Sequence, residues 1–207
     1  MQMDNKNISI ITNFGCRSNC WYCIWKEHEL QHCNQPTDWN RLERFLVCHS
    51  HKGKFSISGG GDCLYNYDDH CGWWDKIFYL ANKHNMLVDV HTREKFHDSS
   101  FFRKINRCVF SSDILSDCKE YIKWLSNYTK VRITHLVTGQ TTLDVIRDYI
   151  NFTTAYNMQF TIKQLVGYSD NGMFDIIRKY YPNLYYLEEG DYNIYYMPDN
   201  SIRKSFL

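Results

Sequence analysis

The chain has 207 residues, 43% of them hydrophobic, enough for one substantial core and short for two, so a single domain over 1–207 is expected. A formal charge of +1 supplies no global attraction toward nucleic acid or an anionic membrane, and neither is an expected partner. The opening residues, Met1 to Lys6, lack the apolar region of a signal peptide, and no stretch approaches the roughly 20 apolar residues that span a bilayer. A cytoplasmic protein is expected, with its nine cysteines reduced or bound to metal rather than paired in disulfides.

In chain order, Asn7 to Phe14 (NISIITNF) is rich in β-branched residues and reads as a strand. It leads directly into Cys16-Arg17-Ser18-Asn19-Cys20-Trp21-Tyr22-Cys23. Thr37 or Asp38 then caps a helix through about Val47, with Trp39, Leu42, Phe45 and Leu46 at helical spacing. Phe55 to Ser58 is a second strand. It ends in Gly59-Gly60-Gly61-Asp62, a run that makes a tight turn or lets backbone approach a ligand that side chains would exclude.

The alternation continues. A helix over Trp73–His84 precedes a strand over Leu87–Thr92, and a helix over Ser100–Ile105 precedes a strand over Cys108–Ser112. Cys118–Tyr128 is helical, Val131–Thr138 a strand, Thr142–Tyr156 a helix with Leu143, Ile146, Tyr149 and Ile150 on one face, and Gln159–Gly167 a strand. The last helix, Asn171–Tyr181, is stopped by Pro182. Six strands each followed by a helix call for a parallel sheet with right-handed crossovers, an α/β fold in the form of a partial (βα)6 barrel over about 8–181. Residues 184–207 change character, with short aromatic stretches around Glu189-Gly190-Asp191 and Pro198-Asp199-Asn200, and read as a C-terminal β-hairpin extension. Such a hairpin covers the barrel mouth, packs as plain structure or binds a partner.

Three cysteines spaced C-x3-C-x2-C can converge on one metal centre, because a short irregular loop turns each sulfur inward while its amides hydrogen-bond to the anionic group. A 4Fe-4S cluster held by Cys16, Cys20 and Cys23 alone keeps one iron open to a ligand. A competing reading takes Cys33, ten residues beyond Cys23, as a fourth ligand, with His28 and His32 nearby, and makes the site a zinc or electron-transfer centre. The other cysteines (Cys48, Cys63, Cys71, Cys108 and Cys118) are dispersed and read as small buried hydrophobes, Cys63 and Cys71 being the pair a second cluster would draw on.

The cysteine spacing, with Tyr22 just before the last cysteine, resembles the signature of the radical S-adenosylmethionine (radical SAM) superfamily, of minimal single-cluster type. The resemblance implies that the open iron is chelated by the amino and carboxylate groups of S-adenosyl-L-methionine, and that the reduced cluster splits its sulfonium. The resulting 5′-deoxyadenosyl radical takes a hydrogen atom from a small-molecule or peptide substrate. Gly59, Gly60, Gly61 and Asp62 then match the family's glycine-rich motif for the methionyl amino group, with Asp62 where Glu is usual. Ser111, Ser112 and Asp113 fall where the family contacts ribose, Gln164 to Gly167 fall where it contacts adenine, and Tyr22 is placed against the adenine ring. The resemblance also implies an electron donor such as flavodoxin or ferredoxin. Among compact branches it is similar to the 7-carboxy-7-deazaguanine synthases and to the activases, whose partner is a glycyl radical enzyme.

Several strands carry polar residues at alternate positions: Ser56 and Ser58, Asp89 and His91, Arg132 and Thr134, Thr161 and Lys163. Each pair points to one face while an apolar neighbour points to the other, as a ligand-filled interior needs; a self-satisfied polar network gives the same pattern. In the first case Arg132 is a bidentate partner for the SAM carboxylate, and His91 and Lys163 are the candidates for substrate contact or proton transfer.

Overall fold

The computed structural model describes residues 7–27, 35–164, 169–187 and 193–204. Its strands are β1 (Asn7–Gly15), β2 (Lys54–Gly61), β3 (Leu87–Thr92), β4 (Arg107–Ser111), β5 (Lys130–Val137), β6 (Gln159–Gln164), β7 (Tyr185–Leu187), β8 (Asn193–Tyr196) and β9 (Ile202–Arg203). Its α-helices are α1 (Ile24–Glu27), α2 (Trp39–Cys48), α3 (Tyr67–Lys83), α4 (Ser99–Phe102), α5 (Lys119–Ser126), α6 (Leu143–Ala155) and α7 (Met173–Tyr180). Strands and helices alternate as the sequence implies, and the fold is α/β. No described helix is long and apolar enough to cross a membrane.

Local chemistry accounts for the boundaries. Asp38 caps α2 by accepting from the Arg41 amide at 3.0 Å, and Thr142 caps α6 by accepting from Val145. α3 starts at Tyr67 rather than at Trp73: Asp68 and Asp69 in its first turn suit the positive end of the helix dipole, and interior Gly72 costs only about 1 kcal/mol. α4 is a single turn capped by Asp98, shorter than the expected Ser100–Ile105 helix.

The chain folds as two compact units, Met1–Asn106 with Asp191–Leu207, and Arg107–Gly190. In the first, β1 pairs in parallel with β2 on one side and β8 on the other, β2 pairs in parallel with β3, and β8 and β9 form an antiparallel hairpin. Ile10, Ile57 and Val90 are fully buried, each worth about 1.5–3 kcal/mol. In the second, β4, β5, β6 and β7 pair in parallel in that order, over a core that includes Ile133, Ile146, Tyr149 and Ile162.

The tail is more than an appended hairpin. β7 extends the second unit in parallel beside β6, and β8 lies in parallel beside β1, so only β8–β9 has hairpin form. The β8–β9 turn also holds the start of α2. Asn200 accepts from the Asp38 amide at 2.8 Å and from the Tyr196 hydroxyl at 2.9 Å, and donates to the Pro36 carbonyl at 3.0 Å. Burial pushes the Tyr196 phenol up to about 12, so it remains a donor at neutral pH. Asn200→Ala removes three hydrogen bonds and puts alanine at φ 62°, where asparagine is better tolerated. The expected loss is about 2 kcal/mol, read as a Tm lower by roughly 4–8 °C. An unchanged melting curve would show that the clamp adds nothing to stability.

Candidate functional site

β1 and β2 end side by side, and their last residues approach so closely that only glycine fits. A Cβ on Gly60 would overlap the Thr12 carbonyl oxygen and press on the Trp25 ring; one on Gly61, at φ 100°, would overlap the Gly15 carbonyl. The Asp62 amide donates to that same Gly15 oxygen at 2.7 Å. The glycine run is thus largely consumed by strand-to-strand packing, which tethers the end of β2 to the point where the cysteine loop begins.

The loop leaves β1 at Gly15 and closes at a turn in which the Cys23 amide donates to the Cys20 carbonyl; the Lys26 amide then donates to Cys23 as α1 starts. Lys26 Nζ reaches back to Asn19 Oδ1 at 2.9 Å. Cys16, Cys20 and Cys23 are all half-buried. Behind Cys23 lie Ile11, Trp25, Tyr195 and Met197, an apolar backing that ties the loop to β1 and to the end of β8. Two of the three sulfurs accept N–H donors: Cys16 Sγ from the Ser18 amide at 3.3 Å, and Cys20 Sγ from Arg93 Nη1 at 3.1 Å. Burial pushes the Cys16 thiol up, and the charge of Asp62 adds to it, against the Ser18 amide.

Asp62 is buried and fully engaged. Its Oδ1 accepts from the Leu64 amide at 3.0 Å and the Thr92 hydroxyl at 2.7 Å, and its Oδ2 accepts from the Arg93 amide at 2.6 Å. It joins the end of β2 to the end of β3, its carboxylate accepting from three protein donors. Arg93, thus anchored, extends Nη1 to the Tyr22 hydroxyl at 2.6 Å as well as to Cys20. Glu94 follows, its carboxyl pushed up by burial and then by Asp62, and 3.7 Å from Arg17 Nε; Arg17 also lies over the Tyr65 ring.

Arg93 and Glu94 went unread in the sequence. A cue existed: both directly follow a parallel strand, at the edge where ligand sites of such sheets gather. His91 is half-buried near the end of β3, its carbonyl accepting from buried Cys63 at 3.2 Å, whereas Cys71 is exposed on α3. Asp89, on the same face, accepts from Asn106 at 2.7 Å, and Ser56 donates to Ser9 at 2.9 Å, so the lower part of this face is a mutually satisfied network.

In the second unit, Ser111 ends β4, and Ser112 and Asp113 follow it. Ser112 is turned inward: its carbonyl accepts from the Tyr149 hydroxyl at 3.0 Å and its hydroxyl donates to the Ile114 carbonyl at 3.0 Å. Lys163 and Gln164 close β6. Lys163 is exposed, and desolvation pushes its ammonium pKa down. Arg132 lies at the other end of the strands, third in β5, where its Nε donates to Gln159 at 3.0 Å and its guanidinium stacks over Tyr185. It borders a cavity of about 340 Å³ there, away from the C-terminal ends of the strands. Cys33, His28, His32 and the stretch 165–167 lie outside the described residues.

The chemistry of the donor set, three half-buried thiols on one loop, fits a thiolate-ligated cluster. Two of these thiols accept N–H donors, as the sulfurs of thiolate-ligated clusters do.

No family model and no curated protein matches the sequence. Among solved structures, the chain is similar to Streptococcus suis SuiB bound to S-adenosylmethionine, with a TM-score of 0.69 at 14% identity over 98% of this chain and 61% of SuiB. It is also similar to SuiB bound to the precursor peptide SuiA, with a TM-score of 0.60 at 14% identity over 90% of this chain and 49% of SuiB. The chain thus spans about three-fifths of SuiB's length. At such identity the likeness establishes fold alone: the chain shares the α/β fold of SuiB.

Proposed function

We propose that the chain is a cytoplasmic radical SAM enzyme in which Cys16, Cys20 and Cys23 hold a 4Fe-4S cluster whose fourth iron takes S-adenosyl-L-methionine. The observation that carries this reading is the placement of the three half-buried thiols where β1 and β2 end, in a fold shared with a protein crystallised with S-adenosylmethionine. Bound there, cluster and SAM supply one-electron cleavage of the sulfonium and a 5′-deoxyadenosyl radical for hydrogen abstraction. The chain's own residues hold and shield. The Ser18 amide steadies Cys16, Trp25 and Met197 keep water from behind Cys23, and Tyr22 offers a ring face for adenine. Asp62 acts through the backbone of Arg93, and the methionyl amino group then falls to backbone carbonyls or to the half-buried Glu94.

A flavodoxin or ferredoxin supplies the electron. SuiB bound to its precursor peptide supports a peptide as substrate over a small metabolite or a glycyl radical enzyme. The test is anaerobic reconstitution with iron and sulfide, dithionite reduction, EPR with and without SAM, and chromatography for 5′-deoxyadenosine. A reduced-cluster signal that changes on adding SAM, with 5′-deoxyadenosine formed, is expected. Cys33→Ala is expected to keep both. A stable zinc site, or a cluster indifferent to SAM, would return the chain to the metal-binding class.

A further inference from the structure

We infer that Arg93 tunes the cluster: its guanidinium, 3.1 Å from Cys20 Sγ and held in place by Asp62, raises the cluster's reduction potential by stabilising the thiolate that ligates it. The inference rests on the proposed cluster at Cys16, Cys20 and Cys23.

The geometry is that of a braced arm. The Arg93 backbone is held by Asp62 Oδ2 at 2.6 Å, and Asp62 is held in turn by Thr92 and Leu64, so the start of the arm is tied to the ends of both β2 and β3. From there Nη1 reaches two atoms of the cysteine loop, Cys20 Sγ and the Tyr22 hydroxyl at 2.6 Å. Cys20 and Tyr22 are therefore oriented by one side chain from 71–73 positions away. An always-charged planar donor suits this role: it cannot lose its proton, and it gives direction as well as charge.

The chemical consequence follows from charge. Taking up an electron makes a thiolate-ligated cluster more negative, and hydrogen bonds to its sulfurs together with nearby positive charge favour that reduced state. A cation against Cys20 therefore makes the cluster easier to reduce. The same contact explains why the second-strand motif ends in an acid that faces protein: Asp62 serves the cluster through Arg93. Arg93 is thus a positioning residue.

The experiment uses the full chain, reconstituted anaerobically, with iron and sulfide counted and the midpoint potential read by EPR in a mediated redox titration. Arg93→Gln is expected to lower the reduced-to-oxidised ratio at a fixed potential by about tenfold, a shift of about 59 mV to more negative values for one electron. Arg93→Lys keeps the charge but loses the fork, and should shift less in the same direction. An Arg93→Gln cluster of full iron content at the wild-type potential would overturn the inference. If Arg93→Gln holds no cluster, Arg93→Lys is read in its place: a negative shift supports tuning and no shift overturns it. Loss of the cluster from both, with a wild-type circular dichroism spectrum, would make Arg93 an assembly residue and also overturn tuning. A wild-type chain that takes up no iron and sulfide is a different outcome, because it removes the proposed function itself.

Discussion

Cys20→Ser is expected to abolish 5′-deoxyadenosine formation and to leave the reconstituted chain with little iron or sulfide. Serine is nearly isosteric, so the Cys23–Cys20 backbone turn and the reach of Arg93 survive the change. What is lost is a soft, readily ionised ligand, replaced by an alcohol that stays protonated at neutral pH. Substituting outer partners of metal ligands already costs about 10–100-fold in affinity or activity, and loss of one of three ligands should exceed that range. The control is Cys118→Ser: Cys118 is buried against Ser112 and the Ile114 and Leu115 carbonyls, far along the chain from the loop, and should keep its iron. Iron and sulfide counts with chromatography decide the matter. A Cys20→Ser chain with full cluster and product would exclude Cys20 as a ligand.

Gly60→Ala should be strongly destabilising to the first unit. The added carbon would meet the Thr12 carbonyl oxygen and the Trp25 ring at once, and backbone cannot yield as a flexible side chain does. Trp25 belongs to the apolar group behind Cys23, so relief by moving the ring would disturb the cysteine loop. Overpacking of this kind costs about 3 kcal/mol, which lowers Tm by roughly 6–12 °C in a chain of this size. Gly72→Ala is the informative contrast. It lies inside α3 with nothing within 4 Å of the new carbon, and should stabilise by about 0.5–1 kcal/mol. Thermal melts of the two variants test the contrast, and equal effects would refute the packing account of the glycine run.

Much of the fold was legible because it rests on local signals. Asp38 and Thr142 cap the helices they were expected to begin, β3 covers Leu87–Thr92 as read, and the βα alternation calls for the parallel pairing that both units display. The helix starting at Trp73 was read short because Cys71-Gly72 breaks the apolar rhythm, while the acidic first turn and packing carry α3 back to Tyr67. The tail was read as an appended hairpin because three- and four-residue strands carry no mark of their partner; β7 finds its partner in β6 and β8 in β1, at the other end of the chain.

The candidate site divides in the same way. The amino-acid sequence by itself determined the cysteine loop, its place after the first strand, and the glycines after the second, since ligand spacing and backbone freedom belong to consecutive residues. Tertiary structure alone decided what the charged groups do. Alternation told which face Arg132 takes but not its height along β5, and register sets it beside Gln159, at the end opposite Ser111 and Gln164. Charge made Asp62 look like a ligand group, and three donors from Leu64, Thr92 and Arg93 claim it instead. Arg93 meets Cys20 across 73 residues of chain. The physical reason is range: a cap or a cysteine spacing acts within one turn or loop, whereas a side chain's partner is chosen by whichever strand ends the sheet brings alongside it.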